Sequence, residues 1–477
     1  MLVRQSYLYA SARIFAAAIT FGLIAFYTRI LSPDEYGVYT YVLAIVVLLQ
    51  GAGIGWLGIG ALRLSEREGK RDAVLSTILV CFGALTIIIA LGTLGLFLIE
   101  ENIRNKWLLI IGAVFVVIQG WYETSLSLLR ARLLVGRYVL YTIARTVIAS
   151  IFGAWFAWVG WGAEGILIGG IIGVLVPSLF LSFELWLKAQ ISRPHVDDMG
   201  DMIRFGMPLA LGFAVGAFIL VTDRVLIEIF LGVYLLGIYG AAYQIADRIM
   251  RSLIEPIGSA ALPLAINKLE YEGLEATTHQ LRQNWALLIS VALPAVAGLC
   301  AVTPSLVEIV VGPAYRAGAL EIIPPIAIAT FLNGVRGGYL DHAYHLGQKT
   351  QLVVYQSICV ATVNVVVTIP LILYYGILGA AYGTLLAQLT GVIFALTFGR
   401  LSFELPLEIL DTAKVCTAAG AMWLAVFLLP LETGLATLIT QVCFGAGIFA
   451  GLMLLLDPFG LRDYVFGVMR TQMQRFV

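Results

Sequence analysis

The sequence predicts an all-α polytopic membrane protein with about 14 transmembrane helices, and three observations carry that reading. Of the 477 residues, 60% are hydrophobic and only 12% are charged, about half the charged share of a soluble chain. Mean hydropathy is +0.95. Apolar runs long enough to cross ~30 Å of hydrocarbon, about 20 residues at 1.5 Å each, recur along the whole sequence. They are too long and too continuous for the ~10-residue alternating segments of a β-barrel. A formal net charge of zero excludes a basic nucleic-acid-binding domain, and the hydropathy excludes a soluble enzyme or a disordered chain.

Polar breaks divide the chain into fourteen expected spans, near 8–30, 37–62, 73–99, 107–129, 138–159, 164–187, 205–231, 236–264, 283–303, 319–346, 351–373, 380–399, 411–429 and 434–456. The first carries Arg13 and ends in a polar turn without a small-residue cleavage site, so it reads as a retained helix rather than a signal peptide. The five cysteines lie inside apolar runs and none forms a CxxC pair, so neither a disulfide frame nor a zinc site is expected. His342 and His345 lack a third ligand, and no metal is assigned.

Loop lysines and arginines set the expected orientation. One set of loops holds Arg4, Arg63, Arg67, Lys70, Arg71, Arg130, Arg132, Arg137, Lys188, Arg193, Arg204, Lys268, Arg282, Lys349, Arg400, Lys414, Arg462, Arg470 and Arg475. The opposite set holds Arg29, Arg104, Lys106, Arg316 and Arg224. The positive-inside rule therefore places both termini in the cytoplasm, as an even number of spans requires. The expected location is the cytoplasmic (inner) membrane.

A faint repeat organises the spans. Tyr36-Gly37-Val38-Tyr39 before span 2 matches Leu236-Gly237-Ile238-Tyr239 before span 8. The turn Trp161-Gly162-Ala163-Glu164-Gly165 matches Tyr375-Gly376-Ile377-Leu378-Gly379. Both matches respect a parallel repeat of six spans. The expected domains are an N-terminal lobe at 1–187, a cytoplasmic linker at 188–204, a C-terminal lobe at 205–400, and two further helices with a tail at 401–477.

Two stretches then resemble a known family. One is Phe26-Tyr-Thr-Arg-Ile-Leu-Ser-Pro-Asp-Glu-Tyr-Gly-Val-Tyr39. The other runs from Arg204-Phe-Gly-Met-Pro208 through Thr222-Asp-Arg224 and Leu231-Gly232 to Gly237-Ile-Tyr239 and Ala242-Tyr-Gln-Ile-Ala246. They are similar to the polysaccharide transporters, the Wzx-type flippases of the MOP superfamily that also holds MATE exporters and lipid II flippases. The resemblance implies two six-helix lobes around a central cavity, with two C-terminal helices appended. It implies that the cargo is a polyprenyl-diphosphate-linked oligosaccharide of the undecaprenyl type, moved from the inner to the outer leaflet by alternating access. Membrane lipids and a polysaccharide polymerase machinery are the partners that fit it.

Charges inside spans point toward the same chemistry. Each costs at least ~2.5–3.5 kcal/mol at a helix centre and should face water or a partner. Glu123 in span 4 and Arg145 in span 5 sit at matching depths on a hairpin and are expected to pair, either as a structural salt bridge or with Glu123 orienting a cavity arginine. Asp247, Arg251 and Glu255 form one i, i+4, i+8 stripe on span 8, with Arg248 beside it. Arg336 lies in span 10 with Asp341 after it. Arg13, Arg145, Arg248, Arg251 and Arg336 are the candidate diphosphate-binding residues, because a guanidinium fork binds phosphate oxygens in pairs. Glu123, Asp247 and Glu255 are candidate orienting or coupling acids, and the coupling ion, H+ or Na+, is left open. Arg29, Asp223 and Arg224 make a candidate outer gate, with a satisfied interfacial pair as the other reading.

Two rivals remain. A MATE-type cation exporter calls for an acidic cavity, whereas the first lobe carries more inner-half arginine than acid. A membrane enzyme acting on lipid-linked sugars calls for a catalytic constellation, and the chain has no HExxH, P-loop or GxSxG motif and no large loop. No catalytic residue and no organic cofactor is assigned.

Overall fold

Each of the fourteen expected spans falls on helix over most of its described residues, and no strand occurs among them. The structure, a computed structural model, describes residues 19–64, 71–132, 134–186, 196–429 and 432–462. The helices are α1 (Ile19–Ile30), α2 (Pro33–Leu49), α3 (Gly55–Leu64), α4 (Arg71–Ile99), α5 (Ile103–Ala131), α6 (Val135–Trp158), α7 (Gly162–Leu185) and α8 (Val196–Leu231). They continue with α9 (Val233–Tyr271), α10 (Leu274–Val310), α11 (Arg316–Val335), α12 (His342–Leu346), α13 (Gln351–Tyr375), α14 (Ile377–Phe398), α15 (Ile409–Phe427) and α16 (Leu435–Leu456). Twelve described helical segments are long and apolar enough to cross a membrane.

Local chemistry explains the starts. Ser32 caps α2, its hydroxyl accepting the Glu35 N–H at 3.3 Å, and Pro33 occupies the first turn, where its missing N–H costs nothing. Asn102 caps α5 by accepting the Arg104 N–H at 2.8 Å. Two spans carry π-helical turns, Gln50–Ile54 between α2 and α3 and Arg336–Leu340 between α11 and α12. Such turns displace the side chains that follow and often mark functional positions. The polar stretch around 265–282, read as a loop, is instead helical: α9 and α10 run 39 and 37 residues and meet at Gly273, whose φ of 88° suits glycine.

By its internal contacts the chain forms two compact units, 1–241 and 242–477. The first has a core of Leu57, Ile78, Val116, Leu128 and Leu167, closed by Trp121 and Trp186 with ring centroids 4.6 Å apart. Its α6 and α7 pack backbone to backbone: a methyl group on Gly173 would strike Ala149. Small residues allow such approach where lipid supplies no hydrophobic drive between helices. In the second unit α13 packs on α14 and α10 on α15.

The repeated turns share a geometry. Gly162, the first residue of α7, and Gly376, just before α14, both take positive φ, 57° and 59°. That conformation is costly for any residue with a Cβ. The other repeated motif makes a direct contact within the first unit. Gly37 on α2 and Gly237 on α9 lie where the helices cross, so that a side chain on Gly37 would strike the Val233 carbonyl and one on Gly237 the Pro33 carbonyl. The two matched segments thus meet each other reciprocally.

Candidate functional site

In the first unit the α5–α6 hairpin brings Glu123 and Arg145 together, as their matched depth predicts. Arg145 Nη1 lies 3.3 Å from Glu123 Oε1. Gln119, one turn earlier on α5, donates to the same carboxylate oxygen at 3.1 Å. The guanidinium also sits over the Tyr122 ring, 5.3 Å from its centroid, a cation–π contact. Tyr122 is held in turn by its hydroxyl, which donates to the Tyr141 carbonyl at 3.1 Å. Arg145 keeps 32% of its side chain exposed and Glu123 45%. Among the described residues only Nη1 of Arg145 is hydrogen-bonded, so the fork keeps donors for incoming oxygens.

The charged stripe of the second unit satisfies itself along α9. Arg251 Nε contacts Asp247 Oδ1 at 2.7 Å and its Nη1 contacts Glu255 Oε1 at 3.3 Å. The i, i+4 spacing places an acid one turn above and one turn below the arginine. Arg248 is exposed and makes no ion pair among the described residues. The two candidate coupling acids on α9, Asp247 and Glu255, are both engaged by Arg251.

Arg336 is placed differently. It opens the π-helical turn, and its side chain is 17% exposed. Nη2 donates to Asn333 Oδ1 at 2.8 Å, and Nε lies 3.7 Å from Asp341 Oδ2. The guanidinium rests on Gly391 of α14, where an added Cβ would come within 2.7 Å of Nη1. Nearby, Gln356 donates to the Gly391 carbonyl at 2.8 Å. Arg13, the fifth candidate arginine, lies outside the described residues.

Of the candidate outer gate, Asp223 and Arg224 form a satisfied pair. Asp223 is buried, with Oδ1 3.2 Å from Arg224 Nη1 and Oδ2 accepting the Tyr239 hydroxyl at 2.5 Å. Arg224 also donates to the Leu220 carbonyl. Arg29 is exposed near the end of α1. The Asp223–Tyr239 bond ties α8 to the start of α9 in the first unit, beside the reciprocal glycine crossing.

Sequence reasoning missed two features. One is an ion-paired triad in which Arg104 contacts Glu35 at 2.7 Å and Glu164 at 2.8 Å. Its signal was present in the repeated turn that contains Glu164. The other is a buried polar set on α13 and α14: Asn364, Thr368, Thr384 and Gln388 each hold an oxygen with no hydrogen-bond partner in the described structure. Their i, i+4 spacing on both helices was the available clue.

Comparison with known proteins gives this architecture a context. The chain is 23% identical over 397 residues to the "Probable low-salt glycan biosynthesis flippase Agl15" of Haloferax volcanii, covering 81% of each chain. Its fold is similar to that of the lipid II flippase MurJ in an inward closed conformation, with a TM-score of 0.80 at 14% identity, covering 96% of this chain and all of that one. It is also similar to an inward-facing MATE family multidrug transporter of the MOP superfamily, with a TM-score of 0.65 at 15% identity, covering 82% of this chain and 97% of that one. Residues 26–320, more than half of the sequence, match the family described as "Polysaccharide biosynthesis protein", and with its many membrane-spanning helices the chain is a multi-pass member of that family.

Proposed function

We propose that this protein is a flippase that carries a polyprenyl-diphosphate-linked oligosaccharide from the inner to the outer leaflet of the cytoplasmic membrane by alternating access. Family membership supports a role in making surface polysaccharide, and the named relative supports the flippase reading. The observation that carries the chemistry is Arg145. It is a cation inside a membrane helix, aligned by Glu123 and Tyr122, with about a third of its side chain open to its surroundings and with guanidinium donors uncommitted among the described residues. A diphosphate needs such a group. Low local dielectric strengthens the contact, and the planar fork matches paired phosphate oxygens. A cation exporter would need free carboxylate instead; Glu123, Asp223, Asp247 and Glu255 are each ion-paired, and Glu228 on α8 is the exception, with a buried oxygen that has no hydrogen-bond partner in the described structure.

The test is reconstitution of the full chain into liposomes containing a fluorescent polyprenyl-diphosphate disaccharide. The expected result is protein-dependent loss of the inner-leaflet pool, read by an impermeant quencher. Equal rates in protein-free vesicles would remove the flippase reading. Orientation is tested in cells, where single cysteines at Asp34, Lys106 and Pro313 are expected to react with an impermeant thiol reagent and one at Lys70 is not. Reversed labelling would invert the assigned direction.

A further inference from the structure

The first unit holds a cavity of about 510 Å³ at the end that the lysine and arginine distribution assigns to the outside. That size falls in the range of small-ligand sites. Its walls come from the end of α1, the start of α2, the start of α5 and the α6–α7 turn, and they include Glu35, Arg104, Trp158, Trp161 and Glu164. We infer that this cavity is a docking site for the sugar rings of the cargo on the receiving side of the membrane, selective for neutral rather than acidic saccharides. The inference rests on the flippase reading for its cargo class, but the site is separate from the arginines considered above.

The chemistry of the walls argues for sugar. Arg104 is held on two sides: Nη2 contacts Glu35 at 2.7 Å, and Nε contacts Glu164 at 2.8 Å. The other oxygen of Glu35 accepts the Ala163 N–H at 2.7 Å, at the start of α7. One arginine against two carboxylates leaves a net negative charge, and Nε and Nη2 of the fork are already bound to them, which disfavours phosphate or an anionic headgroup. Carboxylates are acceptors with several lone-pair sites, so Glu35 and Glu164 can still take hydrogen bonds from sugar hydroxyls. An acidic sugar would meet like charge.

The aromatic walls supply the other half of a sugar site. Trp158 is 71% and Trp161 51% exposed. Trp161 is held by stacking on Phe156, with ring centroids 4.7 Å apart and an interplanar angle of 22°. This fixes one face and leaves the rest of the indole as a rigid apolar platform for the C–H face of a pyranose. The turn carrying Trp161 is set by Gly160 and Gly162, both at positive φ. Space at Gly162 is occupied by the Glu35 carboxylate, which a side chain there would strike. Interfacial tryptophans also anchor helices in membranes, but anchoring alone does not require paired carboxylates beside them.

The experiment uses the full chain in nanodiscs and saturation-transfer NMR with free maltotriose, mannotriose, chitotriose and trigalacturonate. At least one neutral trisaccharide is expected to receive saturation on its ring C–H protons, with trigalacturonate weaker and 10 mM inorganic phosphate (order of magnitude) not competing. Trp161→Ala and Trp158→Ala are each expected to weaken that binding about tenfold, and Trp161→Phe less. Because Trp158 is mostly exposed, its variant reads the site even if loss of Trp161 disturbs the turn. No transfer to any neutral trisaccharide, unchanged binding in the tryptophan variants, or displacement by phosphate would each overturn the assignment. Sugar binding at Trp158 with no flipping of the disaccharide lipid would sink the flippase reading and keep the cavity. Flipping with no trisaccharide binding would do the reverse.

Discussion

Arg145 in the first unit and Arg336 in the second are both arginines in apolar spans, each with one carboxylate partner, yet they are built to different ends. Arg145 reaches across from α6 to Glu123 on α5 and lies over an aromatic ring, with about a third of its side chain open. Arg336 stays close to its own helix, contacting Asn333 before the π-helical turn and Asp341 after it, and its guanidinium is pressed on Gly391 of α14. The first arrangement orients a charge and leaves donors for something else. The second encloses the charge. A charged residue in a membrane helix is therefore not by itself a ligand site. Each guanidinium makes one hydrogen bond among the described residues, and Arg336 Nε is buried without a hydrogen-bond partner there, so what separates the two cases is how open the group is: 32% of the side chain at Arg145 against 17% at Arg336.

Changes at Arg336 are expected to have the largest effect, and on folding. Arg336→Ala would leave Asp341 largely buried without its cation and open a hole against Gly391, at a cost of about 3 kcal/mol or more. The amount of monodisperse protein extracted from membranes measures it. A normal yield together with lost transport would break the contrast and make Arg336 a ligand residue.

At Arg145 the expected effect falls on transport with folding kept. Arg145→Ala should lower flipping at least about tenfold, and Glu123→Gln by a smaller factor. The double variant should be little worse than Arg145→Ala, with a coupling of about 1 kcal/mol. Flipping rates and membrane protein levels measured together decide this. Additive losses would show that the pair does not act as one device.

Smaller effects are expected on α9. The clamp of Arg251 between Asp247 and Glu255 is built from i, i+4 pairs, each worth about 0.3–0.5 kcal/mol when partly exposed. Arg251→Ala should therefore change thermal stability by only a few degrees. Arg248→Ala should leave stability unchanged, since Arg248 is exposed and outside the clamp. Surface polysaccharide scored in cells carrying each variant sharpens the comparison. Loss with Arg248→Ala and retention with Arg251→Ala would make the uncommitted cation the functional one.

Several parts of this structure were legible in residue order. Fourteen apolar runs gave fourteen helical segments, because a helix is the structure that satisfies its backbone within one segment in lipid. The Glu123–Arg145 pair was legible because a short hairpin converts equal distance from the turn into equal depth. The α9 stripe was legible as a stripe, since i, i+4 spacing is geometry internal to one helix. Its environment was not: the sequence left open whether the charges faced water or each other, and the structure shows Arg251 bound by its own helix.

The sequence by itself determined the helical membrane class, the spans, the repeated glycine turns and the types of charge placed within them, because all of these depend on local composition and periodicity. Tertiary structure alone decided that Gly37 and Gly237, 200 residues apart, would meet backbone to backbone. It also decided that Arg336 would be enclosed by the turn it opens, and that Glu35, Arg104 and Glu164 from three separate segments would converge beside Trp158 and Trp161. Those outcomes depend on which helix lies against which and at what rotation, and a crossing or a π-helical turn re-aims a side chain in ways that spacing along one chain segment does not encode.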